Sequence, residues 1–170
     1  MRVMETVFDK CLIIEPDLRI DERATMTLLY RDDPEMKRLL GDFTVTEQRF
    51  YMMEKHAFFG IHLGPSKLLS ILSGYGLDYL IDLRKDSPTY KQYRMIELSA
   101  DMPRLVYVPS GFGHAFLALK ENTMQAFAMD TKAPYEPASP VHYRSPGIEL
   151  DLPIKNPILS DYDRNAKMLE

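Results

Sequence analysis

The chain has 170 residues, 45% of them hydrophobic and 27% charged, the composition of an ordinary globular protein. Its 25 acidic and 21 basic residues give a net charge of −4 with lysines and arginines scattered singly, so nothing points to nucleic acid as a partner. The single cysteine, Cys11, excludes an intrachain disulfide framework and a cysteine-rich metal site, and no apolar run approaches the ~18 residues of a membrane span.

Glu5, Asp9, Glu15 and Asp17 argue against a signal peptide in the first twenty residues, which makes the cytoplasm the expected compartment. A period of two then dominates the chain. Segments 23–30, 42–54, 67–74, 77–84, 93–99, 104–109, 114–120 and 123–131 are short, rich in β-branched and aromatic residues, and bounded by Gly, Pro, Asn, Asp or Ser, which predicts strands. Between the first two, Asp33 fits an N-cap, Pro34 the first helical position and Gly41 the C-cap of a short helix. "LKENTM" predicts a hairpin with Glu121-Asn122 in its turn. The four prolines of 132–147 predict an ordered loop over a barrel mouth, and Ser160 with Asp163 predicts a capped helix near the C-terminus. Strand after strand with little helix between implies an all-β fold of antiparallel strands in a sandwich or barrel, with residues 1–170 forming one domain.

Chemistry must come from few groups. The four histidines are His56, His62, His114 and His142. His62 follows a glycine among apolar residues, and His114 follows Gly-Phe-Gly at the mouth of the run Ala115–Leu119. Imidazoles buried beside apolar strands need partners for their ring nitrogens. Asp78 and Asp82, four apart on one strand, share a face and can supply one, although Asp82 with Arg84 could equally form an ion pair at the strand end. A three-ligand metal site from His62, Asp78 and His114 is the competing reading, weakened by the absence of any His-x-His. No Gly-x-Ser-x-Gly, Gly-x-Gly-x-x-Gly or Gly-x-x-x-x-Gly-Lys is present.

"GIHLGPSKLLSILSG", "DYLIDLRKDSPTY", "VPSGFGHAFLAL" and "LSDYD", with a weaker match at Glu15, Pro16, Asp21 and Arg23, together resemble the dTDP-4-dehydrorhamnose 3,5-epimerases over nearly the whole chain. The resemblance implies a cupin-type jelly-roll barrel, a homodimer, no metal and no cofactor. The implied partner is a nucleoside-diphosphate 4-keto-6-deoxy sugar, a substrate for carbohydrate biosynthesis. It assigns His62 as the base, oriented by Asp163, and His114 with Asp78 as a second pair. Lys67 would stabilise the enolate, and Arg23 would reach the phosphates from the neighbouring subunit. Each has a plainer rival: a solvated Lys67, a surface Arg23, and an Asp163 engaged only in capping with Ser160, since one carboxylate is not expected to serve both roles.

The chain also departs from the family pattern. Phe59 and Ser70 stand where arginines are expected, and Phe127, thirteen residues after His114, stands where the family has its acid tyrosine. Tyr135 is the nearest candidate to replace that donor, with Tyr107 and Tyr143 behind it. Inversion at one carbon only, a sugar-nucleotide-binding cupin without turnover, and a ketoisomerase on the same scaffold are the alternatives this opens.

Overall fold

A computed structural model describes residues 1–133 and 140–170. Its strands are β1 (Arg2–Val7), β2 (Cys11–Glu15), β3 (Leu18–Ile20), β4 (Thr25–Thr27), β5 (Glu47–Met53), β6 (Phe58–His62), β7 (Ser66–Ser73), β8 (Tyr75–Asp82), β9 (Tyr93–Ser99), β10 (Leu105–Val108), β11 (Phe112–Ala118) and β12 (Thr123–Asp130). The helices are α1 (Pro34–Leu40) and α2 (Asp161–Arg164). Two antiparallel sheets face each other, one of six strands in the order β1-β2-β10-β7-β12-β5 and one of four in the order β6-β11-β8-β9. A separate two-stranded ribbon joins β3 and β4. This is the antiparallel cupin-type jelly roll that the strand pattern and the resemblance anticipate.

Side-chain alternation sorts the apolar residues into three layers. Leu69 and Ile71 of β7, Leu80 of β8, Phe112 and Phe116 of β11 and Val106 and Val108 of β10 fill the space between the sheets. The opposite parity of β8 and β11 (Leu77, Tyr79, Ile81, Ala115, Leu117) packs outward under Val141, Tyr143, Ile148 and Leu150 of the C-terminal segment. On the far side Leu68, Leu105 and Ile14 receive Met36 and Leu40 of α1. That helix is capped as expected: the Asp33 carboxylate accepts from the Met36 N–H, and the Gly41 N–H closes on the Lys37 carbonyl.

Several sequence expectations are corrected. Segment 23–30 is strand only over Thr25–Thr27. Segment 42–54 is strand only from Glu47, because the Thr44 N–H bonds the Asp130 carboxylate and the Thr46 N–H the Met129 carbonyl in place of a ladder. β1, β2, β3 and β6 are additional strands. Glu121 and Asn122 do form a turn, yet β11 and β12 belong to different sheets, so the turn is a crossover between layers and not a hairpin.

Asp78 and Asp82 share the inner face of β8, both with no exposure, but they serve different ends of it. Asp82 accepts from Arg84 Nε (2.9 Å) and Nη2 (2.7 Å), from Ser87 Oγ (2.6 Å) and from Thr89 Oγ1 (2.6 Å), tying the segment after β8 to its strand. Burial alone would raise its pKa, but these donors hold it well below the usual carboxylate range. A lowered folded-state pKa contributes stability that is present above the unfolded value near pH 4 and lost as pH falls through the folded one. Asp82→Asn is therefore expected to cost about 1–3 kcal/mol at pH 7, with the two proteins converging in acid. Urea denaturation at both pH values tests this; an equal deficit at every pH would contradict it.

Candidate active site

A cavity of about 410 Å³ opens between the two sheets, and its wall combines His62, Lys67, His114, Phe127 and Asp163 with Arg49, Tyr51, Phe59, Gln125 and Tyr162. Alternation explains why polar groups converge inside an apolar barrel. His114 lies on the parity of Phe112 and Phe116, Lys67 on that of Leu69 and Ile71, and Asp78 on that of Leu80. Each points inward because its apolar neighbours two residues away do.

His62 and His114 are cross-strand partners on β6 and β11, where the register shifts between His114 and Phe116. Gly60 makes that approach possible. A Cβ there would stand 2.5 Å from the Ala115 Cβ and 2.7 Å from the His114 carbonyl oxygen, and its φ of 125° suits only glycine.

The two imidazoles have separate carboxylate partners. His62 Nε2 lies 2.5 Å from Asp163 Oδ1, and His114 Nε2 lies 2.7 Å from Asp78 Oδ1. With the Nε2 hydrogen directed at Asp163, the His62 Nδ1 keeps its lone pair, the form a proton acceptor needs. Asp163 also serves α2: its N–H donates to Ser160 Oγ (3.1 Å), and Ser160 Oγ donates to Asp163 Oδ2 (2.9 Å). The expectation that capping and histidine pairing would compete is thus corrected. The carboxylate has two oxygens, one for each task. Because His62 and His114 hold different carboxylates, they do not converge with Asp78 on one ligand set, and the described residues contain no cluster of three or more His, Cys, Asp or Glu suited to a metal ion.

Burial pushes His114 below the ordinary imidazole value against the pull of Asp78, so the ring is neutral at pH 7. Asp78 also accepts from Gln125 Nε2 at 3.4 Å, while its Oδ2 has no partner among the described residues. Lys67 is 7% exposed, and burial lowers its pKa to about 8 although Asp78 opposes the shift.

The remaining expected site residues fall elsewhere. Arg23 sits in the β3–β4 turn, its side chain 81% exposed and paired with Asp21 at 2.9 Å, and is no part of this cavity's wall. Tyr135 lies outside the described residues. Tyr107 packs edge-on against Phe43 in the α1 layer, and Tyr143, in the C-terminal segment, packs on Phe58 at the outer face of the four-stranded sheet, so neither reaches the cavity. Arg49, Tyr51, Gln125 and Tyr162 escape the sequence reading. β5 carries apolar and polar residues on both parities, and its more apolar set, Phe50 and Met52, is the exposed one.

The sequence profile of a family described as dTDP-4-dehydrorhamnose 3,5-epimerase matches residues 5–170. A curated dTDP-4-dehydrorhamnose 3,5-epimerase from Methanothermobacter thermautotrophicus is 28% identical over 99% of this chain and 94% of its own length. The crystal structure of a Bacillus anthracis dTDP-4-dehydrorhamnose 3,5-epimerase with TDP and PPi bound superposes with a TM-score of 0.90 at 32% identity, covering 99% of each chain. A 3'-monoepimerase from Streptomyces bikiniensis in complex with dTDP-quinovose gives 0.84 at 27% identity, over 94% of this chain and 83% of its own.

The buried lysine carries a stability cost. A folded-state pKa below the unfolded one means that the unfolded chain binds the proton more readily, so the penalty is full below about pH 8 and fades toward pH 10.5. Lys67→Met is expected to raise stability at pH 7 by about 1–3 kcal/mol, read from the urea midpoint at constant m-value. A lower midpoint would show that the ammonium is a net stabiliser.

Proposed function

This chain belongs to the dTDP-4-dehydrorhamnose 3,5-epimerase family, and on that footing we propose that it inverts C3, C5 or both of a nucleoside-diphosphate 4-keto-6-deoxy sugar. The C4 ketone acidifies the hydrogens on both neighbouring carbons. Removing one leaves an enolate, and a proton delivered to the opposite face inverts the centre. Kinship with both a 3,5-epimerase and a 3'-monoepimerase supports inversion over carbonyl migration or binding without turnover.

One observation carries the reading: His62 faces the cavity with Nε2 engaged by Asp163 and Nδ1 without a hydrogen-bond partner among the described residues. In this proposal Nδ1 takes the proton, and Asp163 orients the ring and stabilises the imidazolium that forms. Lys67 supplies positive charge to the developing O4 oxyanion in a site with little water, an effect worth a few kcal/mol. The neutral His114, fixed by Asp78, offers a hydrogen-bonding wall beside the sugar, and Phe127 an apolar one.

The proposed assembly is a homodimer. The outer face of the six-stranded sheet exposes Phe50 (63%), Met52 (62%) and Leu72 (46%), and the nearby β3–β4 ribbon exposes Ile20 (74%). A contiguous apolar face of this kind calls for a cover, and a second copy supplies one symmetrically. Arg23, on the same ribbon, would then reach the phosphates in the neighbour's cavity.

In heavy water, the protein is expected to place deuterium at C3 or C5 of a nucleotide-linked 4-keto sugar, and His62→Asn to abolish that exchange. No exchange with any of several such substrates would sink the proposal. Light scattering is expected to give twice the chain mass, with Phe50→Glu shifting it toward the monomer; a monomeric wild-type protein would refute the dimer.

A further inference from the structure

Inversion needs a proton donor on the face of the sugar away from His62, and Phe127 has no proton to give. Among the described residues four hydroxyl groups border the cavity, those of Tyr51, Thr131, Ser160 and Tyr162. Ser160 is committed to Asp163, Thr131 to Thr46 at 2.9 Å, and an aliphatic alcohol is a weak acid for this task. Tyr162 belongs to α2 beside Asp163, with its ring 5.6 Å from that of His62, so it shares the wall of the proposed base. A proton from there would return to the face it left.

Tyr51 remains, and its setting suits the role. It stands on β5 of the six-stranded sheet, whereas His62 is on β6 of the four-stranded one. Its ring is wedged between Phe59 (5.2 Å, 52°) and Phe127 (5.7 Å, 85°), which fixes its direction. Its hydroxyl oxygen accepts from Arg49 Nη1 at 3.3 Å, its one hydrogen bond among the described residues, so the O–H hydrogen is uncommitted. Arg49 is itself anchored by Glu47.

We propose that Tyr51, seated one strand over from Phe127 and backed by Arg49, is the proton donor of this epimerase. The inference rests on the epimerase reading above. In the step, the O–H bond of Tyr51 breaks and a C–H bond forms at the enolate carbon. The C4 carbonyl is restored, and the electron pair stays on the phenolate oxygen facing the Arg49 cation. Tyr51 then regains a proton from water, and the His62 imidazolium releases one to it.

The test follows inversion and deuterium incorporation separately, in heavy water, with a nucleotide-linked 4-keto-6-deoxy sugar. Tyr51→Phe is expected to slow inversion by about 10²–10⁴-fold while His62 still washes deuterium into the unconverted substrate. Adding Phe127→Tyr to that variant is expected to restore inversion, since the hydroxyl returns to an adjacent place. Inversion by Tyr51→Phe at the wild-type rate would overturn the proposal, and so would loss of exchange in step with inversion, which marks a purely structural role. A wild-type protein that exchanges without inverting would also overturn it. A wild-type protein that neither exchanges nor inverts would instead overturn the epimerase reading beneath it.

Discussion

The Asp78 carboxylate has no contact with solvent, and the polar interior of the barrel is organised around that constraint. An ion removed from water must be compensated by charge and hydrogen bonds. His114 and Gln125 supply the bonds, and Lys67 adds a nearby positive charge whose attraction to Asp78 is smaller than the cost of burying its own ammonium. Each of these groups in turn depends on Asp78: the imidazole for its orientation, the lysine for the part of its proton affinity that burial does not remove. The carboxylate sits on β8, His114 on the neighbouring β11, and Lys67 and Gln125 on β7 and β12 of the facing sheet, so one buried charge ties together both layers of the sandwich.

His62 is supported differently. Its partner comes from outside the barrel, from a short helix reached only after the C-terminal segment has crossed the outer face of the four-stranded sheet. The segment is held by backbone pairing as well as by apolar packing. Ile61 and Val141 exchange both of their backbone hydrogen bonds, and the Phe58 N–H donates to the Ile158 carbonyl. The elements that seat Asp163 therefore also clamp β6, the strand that carries His62.

Much of this was legible in the sequence, and the reasons are local. Gly-Phe-Gly before His114, Ser160 three residues before Asp163, and the alternation of 77–84 each specify a backbone conformation and a direction for the side chain. The first two strands were not legible because their turn uses Phe8 and Asp9 at positive φ, with no glycine or asparagine to mark it. β6 is five residues long and interrupted by Gly60, too short for a period to show. Arg49 and Tyr51 were hidden because β5 turns its charged parity inward and its apolar parity out, the reverse of the pattern by which strands are ordinarily read. Segment 77–84 showed that Asp78 and Asp82 share a face. It could not show that one would end behind His114 and the other in a knot of hydroxyls and Arg84.

The double use of Asp163 has a consequence for the order in which the molecule matures. Every strand of both sheets precedes residue 163 in the chain, so a ribosome delivers the whole barrel before it delivers the partner of the proposed base. Until the last helix is seated, His62 lacks the carboxylate that fixes its tautomer, however complete the cavity around it. Ser160 fastens that carboxylate through the same bonds that cap the helix, so closing the helix and arming the imidazole are one event. One side chain thus couples the closure of a helix to the orientation of the imidazole in the cavity.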